Sequence, residues 1–533
     1  MSSGFVIREN QYYDSVFLMG VNKRLSQMQG VQQTAALMGS ERNKQLLAQI
    51  GVRGAAIDAA QPNDLIVAAI ADTSQTVDAL LASLDQALQA IEKSTPASTL
   101  HTLEEGLAEK PHANLALISV PGEYATREAM KALESGLNVF LFSSNVPLEQ
   151  ELHLKRFAAE RGLLVMGPDC GTSLIGGVGI GFANAVRRGT IGAIGPSGTG
   201  LQEFTCQVHH AGLGISHAIG AGSHDLSDEI GGLTTLAALD ALEADPQTEV
   251  IALVAKPPGA ATLRRLTARL RTCAKPVVGC FLGARLDSVK GKASITWART
   301  IDEAALAAVR QSGAKGAPPS RSSPQTAFGV RRQEASPPTI QLTEQERALA
   351  SQTRSMWAAE QRHLRGVFAG GTFVYQSQQI LHEAGLVVHS NAPLDPRFRL
   401  DHPDRSQAHT IVDMGDDDYT LGKPHPMIDG ATRRERILAE SHDPSLAILL
   451  LDFILGYNAS MDPVGELLDA IVEARQAATR RGGALTVVAS ICGTEGDPQD
   501  LNLQATMLRE AGAIVFRSNA LAALFCCELL KPV

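Results

Sequence analysis

Two glycine-rich turns, one in each half of the chain, stand where a short apolar strand hands over to a helix. The first runs Thr190-Ile-Gly-Ala-Ile-Gly-Pro-Ser-Gly-Thr-Gly-Leu201 and the second Gly366-Val-Phe-Ala-Gly-Gly-Thr-Phe373, each followed by an amphipathic stretch. Small residues at such a junction leave backbone N–H groups free at a helix N-terminus, where the helix dipole favours an anion. Ser197, Gly198, Thr199 and Gly200 in the first turn, and Gly370, Gly371 and Thr372 in the second, are therefore candidate phosphate-binding residues. Any α/β domain has several turns of this kind, so one alone says little. Two of them, in halves that otherwise look alike, predict a phosphoryl group held between two helix ends.

Other polar groups cluster beyond predicted strands, where parallel sheets bind ligands. The densest cluster is Asp413-Met-Gly-Asp-Asp-Asp-Tyr-Thr-Leu-Gly-Lys-Pro-His-Pro-Met-Ile-Asp429. Within it Lys423 and His425 are candidate contacts to phosphate or carboxylate, and the prolines flanking His425 stiffen its loop. Asp416, Asp417 and Asp418 have the oxygen chemistry for Mg2+, but a solvated acidic loop explains them as well, and no metal site is assigned. Asp169 and Thr172, in Gly167-Pro-Asp-Cys-Gly-Thr172, and His224 and Asp225, in Gly220-Ala-Gly-Ser-His-Asp225, are candidate substrate-binding residues. The second pair has an alternative as a cap on Leu226–Ile230. Cys170 lacks a neighbouring histidine to stabilise a thiolate and reads as structural. His209 and His210 lie well along the first turn's helix and read the same way.

The elements needed to position these groups are those of a parallel α/β protein. Strand-like runs such as Leu115–Val120, Val139–Phe142, Leu163–Met166, Val250–Ala255 and Val277–Leu282 alternate with helix-length amphipathic stretches. Their continuous hydrophobicity suits strands covered on both faces. Asp245-Pro before Val250 and Asp443-Pro before Leu446 both lead into buried strands, as in two divergent copies of one unit. Residues 313–345, with Pro318, Pro319, Pro324, Pro337 and Pro338 amid Ser, Gln and Arg, read as a flexible linker. The expected division is an N-terminal α/β region over 1–110, a Rossmann portion over 111–188, an α/β domain over 189–312, the linker, and a second such domain over 346–533.

At 533 residues the chain has room for three or four domains of about 100–200 residues each. A net charge of −9 with no basic stripe argues against nucleic acid. The seven cysteines have no metal-ligand spacing, and a chain opening on polar residues without an apolar signal core suits reduced thiols in a cytoplasm. The longest apolar run, Leu446–Leu455, is too short to span a membrane and carries Asp452, so no membrane partner is expected.

Ala113-Asn-Leu-Ala-Leu-Ile-Ser-Val-Pro121, Met166-Gly-Pro-Asp-Cys-Gly-Thr172, Ile194-Gly-Pro-Ser-Gly-Thr-Gly200 and Asp245-Pro-Gln-Thr-Glu-Val250 together resemble the succinyl-CoA synthetase α subunit. The second half resembles the CoA-ligase domain of the β subunit, through Ala369-Gly-Gly-Thr372, Ile411-Val-Asp-Met-Gly415 and Gly430-Ala-Thr-Arg-Arg-Glu-Arg436. Over its whole length the chain most closely resembles the FdrA family of acyl-CoA-synthetase-like proteins, with Gly220–Ser227 and Gly422–Asp429 as further signs. The resemblance implies a Rossmann-like N-terminal region followed by two flavodoxin-like domains of succinyl-CoA-synthetase type with parallel sheets. It also implies one phosphate facing both glycine-turn helices.

Departures from the synthetase pattern limit the chemistry. The stretch Val289–Arg299 has no counterpart of the phosphorylated histidine, Lys256 replaces the glutamate that orients it, and no ATP-grasp region is recognisable. Residues 1–110 lack the glycine turn that would cradle the CoA pyrophosphate. What remains is acyl transfer to or from phosphate, in which Lys256 is a candidate catalytic cation for the departing phosphate; a strand-end lysine reaching solvent is the alternative. The FdrA resemblance implies a component of oxamate carbamoyltransferase in purine and allantoin catabolism, acting on carbamoyl phosphate with partner subunits in an oligomer. A CoA ligase completed by other subunits and a non-catalytic scaffold are the alternatives, and CoA and Mg2+ the cofactors to consider.

Overall fold

A computed structural model describes the chain except residues 1, 14, 27, 41–42, 45–46, 49, 93–99, 285–291, 314–338, 421–422 and 532–533. Two compact units emerge: Met1–Leu137 with Tyr419–Pro424, and Asn138–Asp418 with His425–Val533.

The first unit is built on strands β1 (Ser2–Arg8), β2 (Val31–Met38) and β3 (Leu65–Ala71), in the order β1-β3-β2. Every pairing is antiparallel, in place of the Rossmann-like parallel region expected there. The reason is visible in β3, which sits between the other two and is buried on both faces. Leu65, Val67 and Ala69 pack on Leu18, Val21 and Leu25 of helix Ser15–Ser26, whereas Ile66 and Ala68 pack on Leu47, Val52 and Ile57. A continuous apolar run reports burial of both faces but not strand direction. Strand Leu115–Ile118 and helix Gly122–Glu134 also belong to this unit.

The second unit carries two large sheets. Strands β4 (Thr172–Ile175), β5 (Val178–Gly181), β6 (Arg188–Gly195), β7 (Ile215–Gly220), β8 (Val250–Ala255), β9 (Val277–Phe281) and β10 (Ile295–Trp297) run in the order β10-β9-β8-β6-β7-β4-β5. From β7 to β10 all pairings are parallel, and the β4–β5 hairpin adds antiparallel to the β7 edge. Residues 172–181, expected in the Rossmann portion, thus extend the sheet of the domain that follows. Strands β11 (His363–Phe368), β12 (Val388–His389), β13 (His409–Asp413), β14 (Leu446–Ile454), β15 (Thr486–Cys492) and β16 (Ile514–Phe516) form a wholly parallel sheet, β12-β13-β11-β14-β15-β16. Setting aside the hairpin and the short β12, both sheets have the doubly wound order 2-1-3-4-5.

That order fixes where ligands go. Each glycine turn follows the first strand of its sheet, β6 or β11, at the switch point where the chain reverses its winding direction. The two halves share packing, since Phe182 and Cys206 from the first enter the core formed around β11, β14 and β15. Most of the expected linker, residues 314–338, lies outside the described residues, as does part of Val289–Arg299. Ile340 and Leu342, near the linker's end, are buried in that second core, and Thr343 opens helix Glu344–Arg354 with a capping box. Among the described residues no helix is long and apolar enough to cross a membrane.

Candidate functional site

Both turns lead into thirteen-residue helices, Gly198–His210 and Gly371–Glu383, and neither helix has a side-chain cap. Elsewhere Thr300 and Thr343 cap their helices in the ordinary way. Ser197 is placed to cap the first helix, but its hydroxyl instead hydrogen-bonds the Thr372 hydroxyl of the second. The turns touch: a Cβ on Gly200 would lie 3.2 Å from Thr372 Cγ2, and one on Gly370 3.2 Å from Thr199 Cγ2. Two helix N-termini, each carrying partial positive charge, are thereby brought together, an arrangement that negative charge stabilises. Thr172 adds a third hydroxyl. It is 1% exposed, its Oγ1 has no hydrogen-bond partner, and that atom would lie 2.9 Å from a Cβ on Gly198. A buried hydroxyl without a partner is uncommon, and this one lies against the first uncapped helix start.

The second turn is held from beneath. Asp452 of β14, fully buried, accepts hydrogen bonds from the N–H groups of Ala369 and Gly370, each at 2.9 Å. Arg433, also buried, pairs with Asp452 at 2.8 Å and donates to the Val367 and Asp452 carbonyls at 2.9 and 2.7 Å. Burial pushes the Asp452 carboxyl up, and Arg433 opposes that shift.

Three ionisable groups surround the paired turns. Lys256, just past β8, is exposed, with its ammonium 5.5 Å from the ring centre of Tyr375 on the second turn's helix. Asp413, the last residue of β13, is nearly buried, and a Cβ on Gly371 would collide with its Oδ2. Burial raises the Asp413 carboxyl to about 7 against the pull of Lys256 and the Gly415 N–H, with Asp416 and Asp452 pushing it further up. His425 accepts a hydrogen bond at Nδ1 from the Met427 N–H at 3.2 Å, while a Cβ on Gly415 would lie 2.7 Å from its Nε2. Burial, then the nearby Arg433, lower it to about 4. The ring is therefore neutral at pH 7 with its proton on Nε2, a hydrogen-bond donor rather than a cation.

Of the residues singled out by sequence, the structure brings together Ser197, Gly198, Thr199, Gly200, Gly370, Gly371, Thr372 and Thr172. Lys256 and His425 adjoin them through Tyr375 and Asp413, and through Gly415, respectively. Lys423 is exposed and falls in the N-terminal unit, although two residues from His425. Asp225 is not available to substrate. It is fully buried, pairs with Lys155 at 2.9 Å and accepts from the N–H groups of Thr234 and Thr235, so it serves the start of helix Leu233–Ala244 rather than Leu226–Ile230. Lys155 also pairs with buried Glu151 at 2.8 Å, and Glu151 hydrogen-bonds exposed His224 at Nδ1, raising its basicity. Asp169 is exposed with φ of 57°, and its charge reaches His224. Cys170 is buried and pushed up to about 12, an inert thiol. Asp413 opens the polar cluster Asp413–Asp429, yet the sequence assigns it no role; the signal for one is that it ends the second strand of a doubly wound sheet.

The family described as CoA-ligase matches residues 367–526, and that described as AllF, heavy metal-associated domain matches residues 1–103. The latter name implies a soft metal ion, but residues 1–103 contain no cysteine and only one histidine, His101, so they do not supply the thiolate ligands such an ion takes. Among the described residues no group of three or more potential ligands could hold a metal. The uncharacterized protein YahF of Escherichia coli is 40% identical over 99% of both chains. The succinate–CoA ligase [ADP-forming] α subunit of Methanothermobacter thermautotrophicus is 29% identical over 34% of this chain and 61% of its own length. Among solved structures, ATP citrate lyase from Methanothrix soehngenii covers 80% of this chain and 83% of its own at 14% identity, with a TM-score of 0.35.

Proposed function

Because the chain belongs to the family of Escherichia coli YahF and carries a CoA-ligase domain, we propose that it is an enzyme acting on an acyl or carbamoyl phosphate whose phosphoryl group lies between the two glycine turns. One observation carries this reading: the uncapped starts of Gly198–His210 and Gly371–Glu383 meet at the Ser197–Thr372 hydroxyl pair, beside the unpartnered Thr172 Oγ1. A mixed anhydride breaks at its carbon–oxygen bond as phosphate leaves. Backbone N–H groups already aimed at that phosphate stabilise its growing charge without reorganising. Lys256 adds a mobile cation at the rim.

The finer assignment is carbamoyl transfer between phosphate and oxamate nitrogen, with partner subunits completing the enzyme. It rests on the FdrA resemblance and on the absence of a phosphohistidine counterpart in Val289–Arg299. Acyl-CoA ligation is the second reading, favoured by the CoA-ligase match over 367–526 and by the succinate–CoA ligase relative. In that reading CoA is the acceptor and another polypeptide supplies ATP chemistry.

Calorimetric titration with carbamoyl phosphate distinguishes them. The Ser197→Ala, Thr372→Ala double variant is expected to lose about 2 kcal/mol of binding, roughly thirtyfold in affinity. Binding of CoA without binding of carbamoyl phosphate favours the ligase. A double variant that binds as tightly as the wild type removes the turns from the site.

A further inference from the structure

We infer that Asp413 is the proton carrier of the paired turns, taking up a proton at Oδ2 when a tetrahedral oxyanion binds and giving it up when the anion leaves. This rests on the anion site proposed above and adds a residue and a proton to it. The geometry is that of a carboxylate standing where the anion's own charge must come. Asp413 Oδ2 lies against Gly371 in the first turn of an uncapped helix. Oδ1 accepts the Gly415 N–H at 3.0 Å, while Oδ2 has no hydrogen bond among the described residues. The backbone of Asp413 is clamped by Asn391, whose amide oxygen accepts the Asp413 N–H at 2.9 Å and whose amide nitrogen donates to its carbonyl at 3.0 Å. The carboxyl group therefore cannot withdraw by moving its strand end.

Bringing a dianion to this helix start sets two like charges side by side in a nearly dry site, and the cheaper outcome is protonation of the carboxylate. The surrounding charges agree. Lys256 from the end of β8 holds Asp413 ionised, whereas Asp416 on its own loop and Asp452 on β14 oppose ionisation. Asp452 is paired with Arg433, and His425 beside Gly415 is neutral. With the carboxyl already near 7 in the free protein, a further negative charge moves it fully to the acid form. The bound state then has an O–H donor facing the phosphoryl oxygens. On departure of phosphate, that proton passes from Oδ2 to a phosphoryl oxygen or to water, leaving the carboxylate behind.

Sulfate is the probe, a tetrahedral dianion with no proton of its own to exchange near neutrality. Calorimetric titration of the full chain in buffers of different ionisation enthalpy should show proton uptake that approaches one per sulfate as pH rises from 7 to 8. Affinity should fall about tenfold per pH unit above 7, the slope of one linked proton. Asp413→Asn should bind sulfate with no proton uptake and with affinity independent of pH over the same range. Lys256→Met, an exposed change that leaves the fold intact, should move the onset of the pH slope upward, and it serves should Asp413→Asn fail to fold. Wild-type binding without proton uptake, or a pH slope that persists in Asp413→Asn, overturns this inference while leaving the anion site in place. Absence of sulfate binding at every pH overturns the anion site and this inference together.

Discussion

Arg433→Met is expected to destabilise the second unit by about 3–5 kcal/mol, as removal of one partner from a buried ion pair does. Arg433 and Asp452 are both buried, and among the described residues it is the arginine that pairs with that carboxyl. Without it Asp452 must either remain charged in an apolar core or take a proton. The first leaves a stranded charge, and the second weakens the two hydrogen bonds that hold the Ala369 and Gly370 N–H groups. The same change also frees the Val367 carbonyl that Arg433 now satisfies. For a unit of this size the loss corresponds to a fall in melting temperature of roughly 5 °C, to be read by thermal scanning of the full chain. Oxyanion affinity should fall with it, because the second turn loses its support. Combining Arg433→Met with Asp452→Asn should restore much of the melting temperature by removing the stranded charge. A single variant that melts with the wild type would mean that Asp452 is supported in some other way.

Lys256→Glu should weaken oxyanion binding by about a hundredfold, close to 3 kcal/mol, while leaving stability within about 0.5 kcal/mol. The asymmetry follows from exposure: Lys256 stands at the rim, with its ammonium over Tyr375 and facing Asp413, so the fold does not depend on it. The reversed charge would repel the anion directly. It would also remove the field that keeps Asp413 partly ionised, raising that carboxyl further. Being exposed, the effect should shrink as salt is added, since charges at a rim are screened over about 10 Å at 0.1 M. Calorimetry with sulfate at two ionic strengths checks both statements. Unchanged affinity would return Lys256 to the role of a strand-end lysine in solvent.

Much of this architecture is legible in the residues. Glycine turns after short apolar strands, and the paired Asp-Pro approaches to Val250 and Leu446, are local signals, and they mark equivalent points of two sheets with one strand order. Strand direction is not local, and the apolar run of β3 by itself does not reveal that it pairs antiparallel on both sides. The polar residues divide along the same line. A hydroxyl within a glycine turn has few places to point, so Ser197 and Thr372 are found from sequence. Asp225, in an equally glycine-rich loop, turns inward to Lys155 and to Thr234 and Thr235, partners that its neighbours in sequence do not reveal. Asp413 is the converse: in sequence only the first residue of a polar cluster, with no role of its own, it gains one because Gly371, forty-two positions earlier, brings a helix start against it.

The most direct test is to locate an oxyanion. Crystals of the full chain grown with tungstate, a tetrahedral dianion with a strong anomalous signal, would show where such a group binds. The expected result is one dominant anomalous peak within hydrogen-bonding distance of backbone N–H groups from both Gly198–Gly200 and Gly371–Phe373, beside Ser197 and Thr372. A dominant peak elsewhere, with the paired turns empty at a tungstate concentration that saturates binding in solution, would contradict the account.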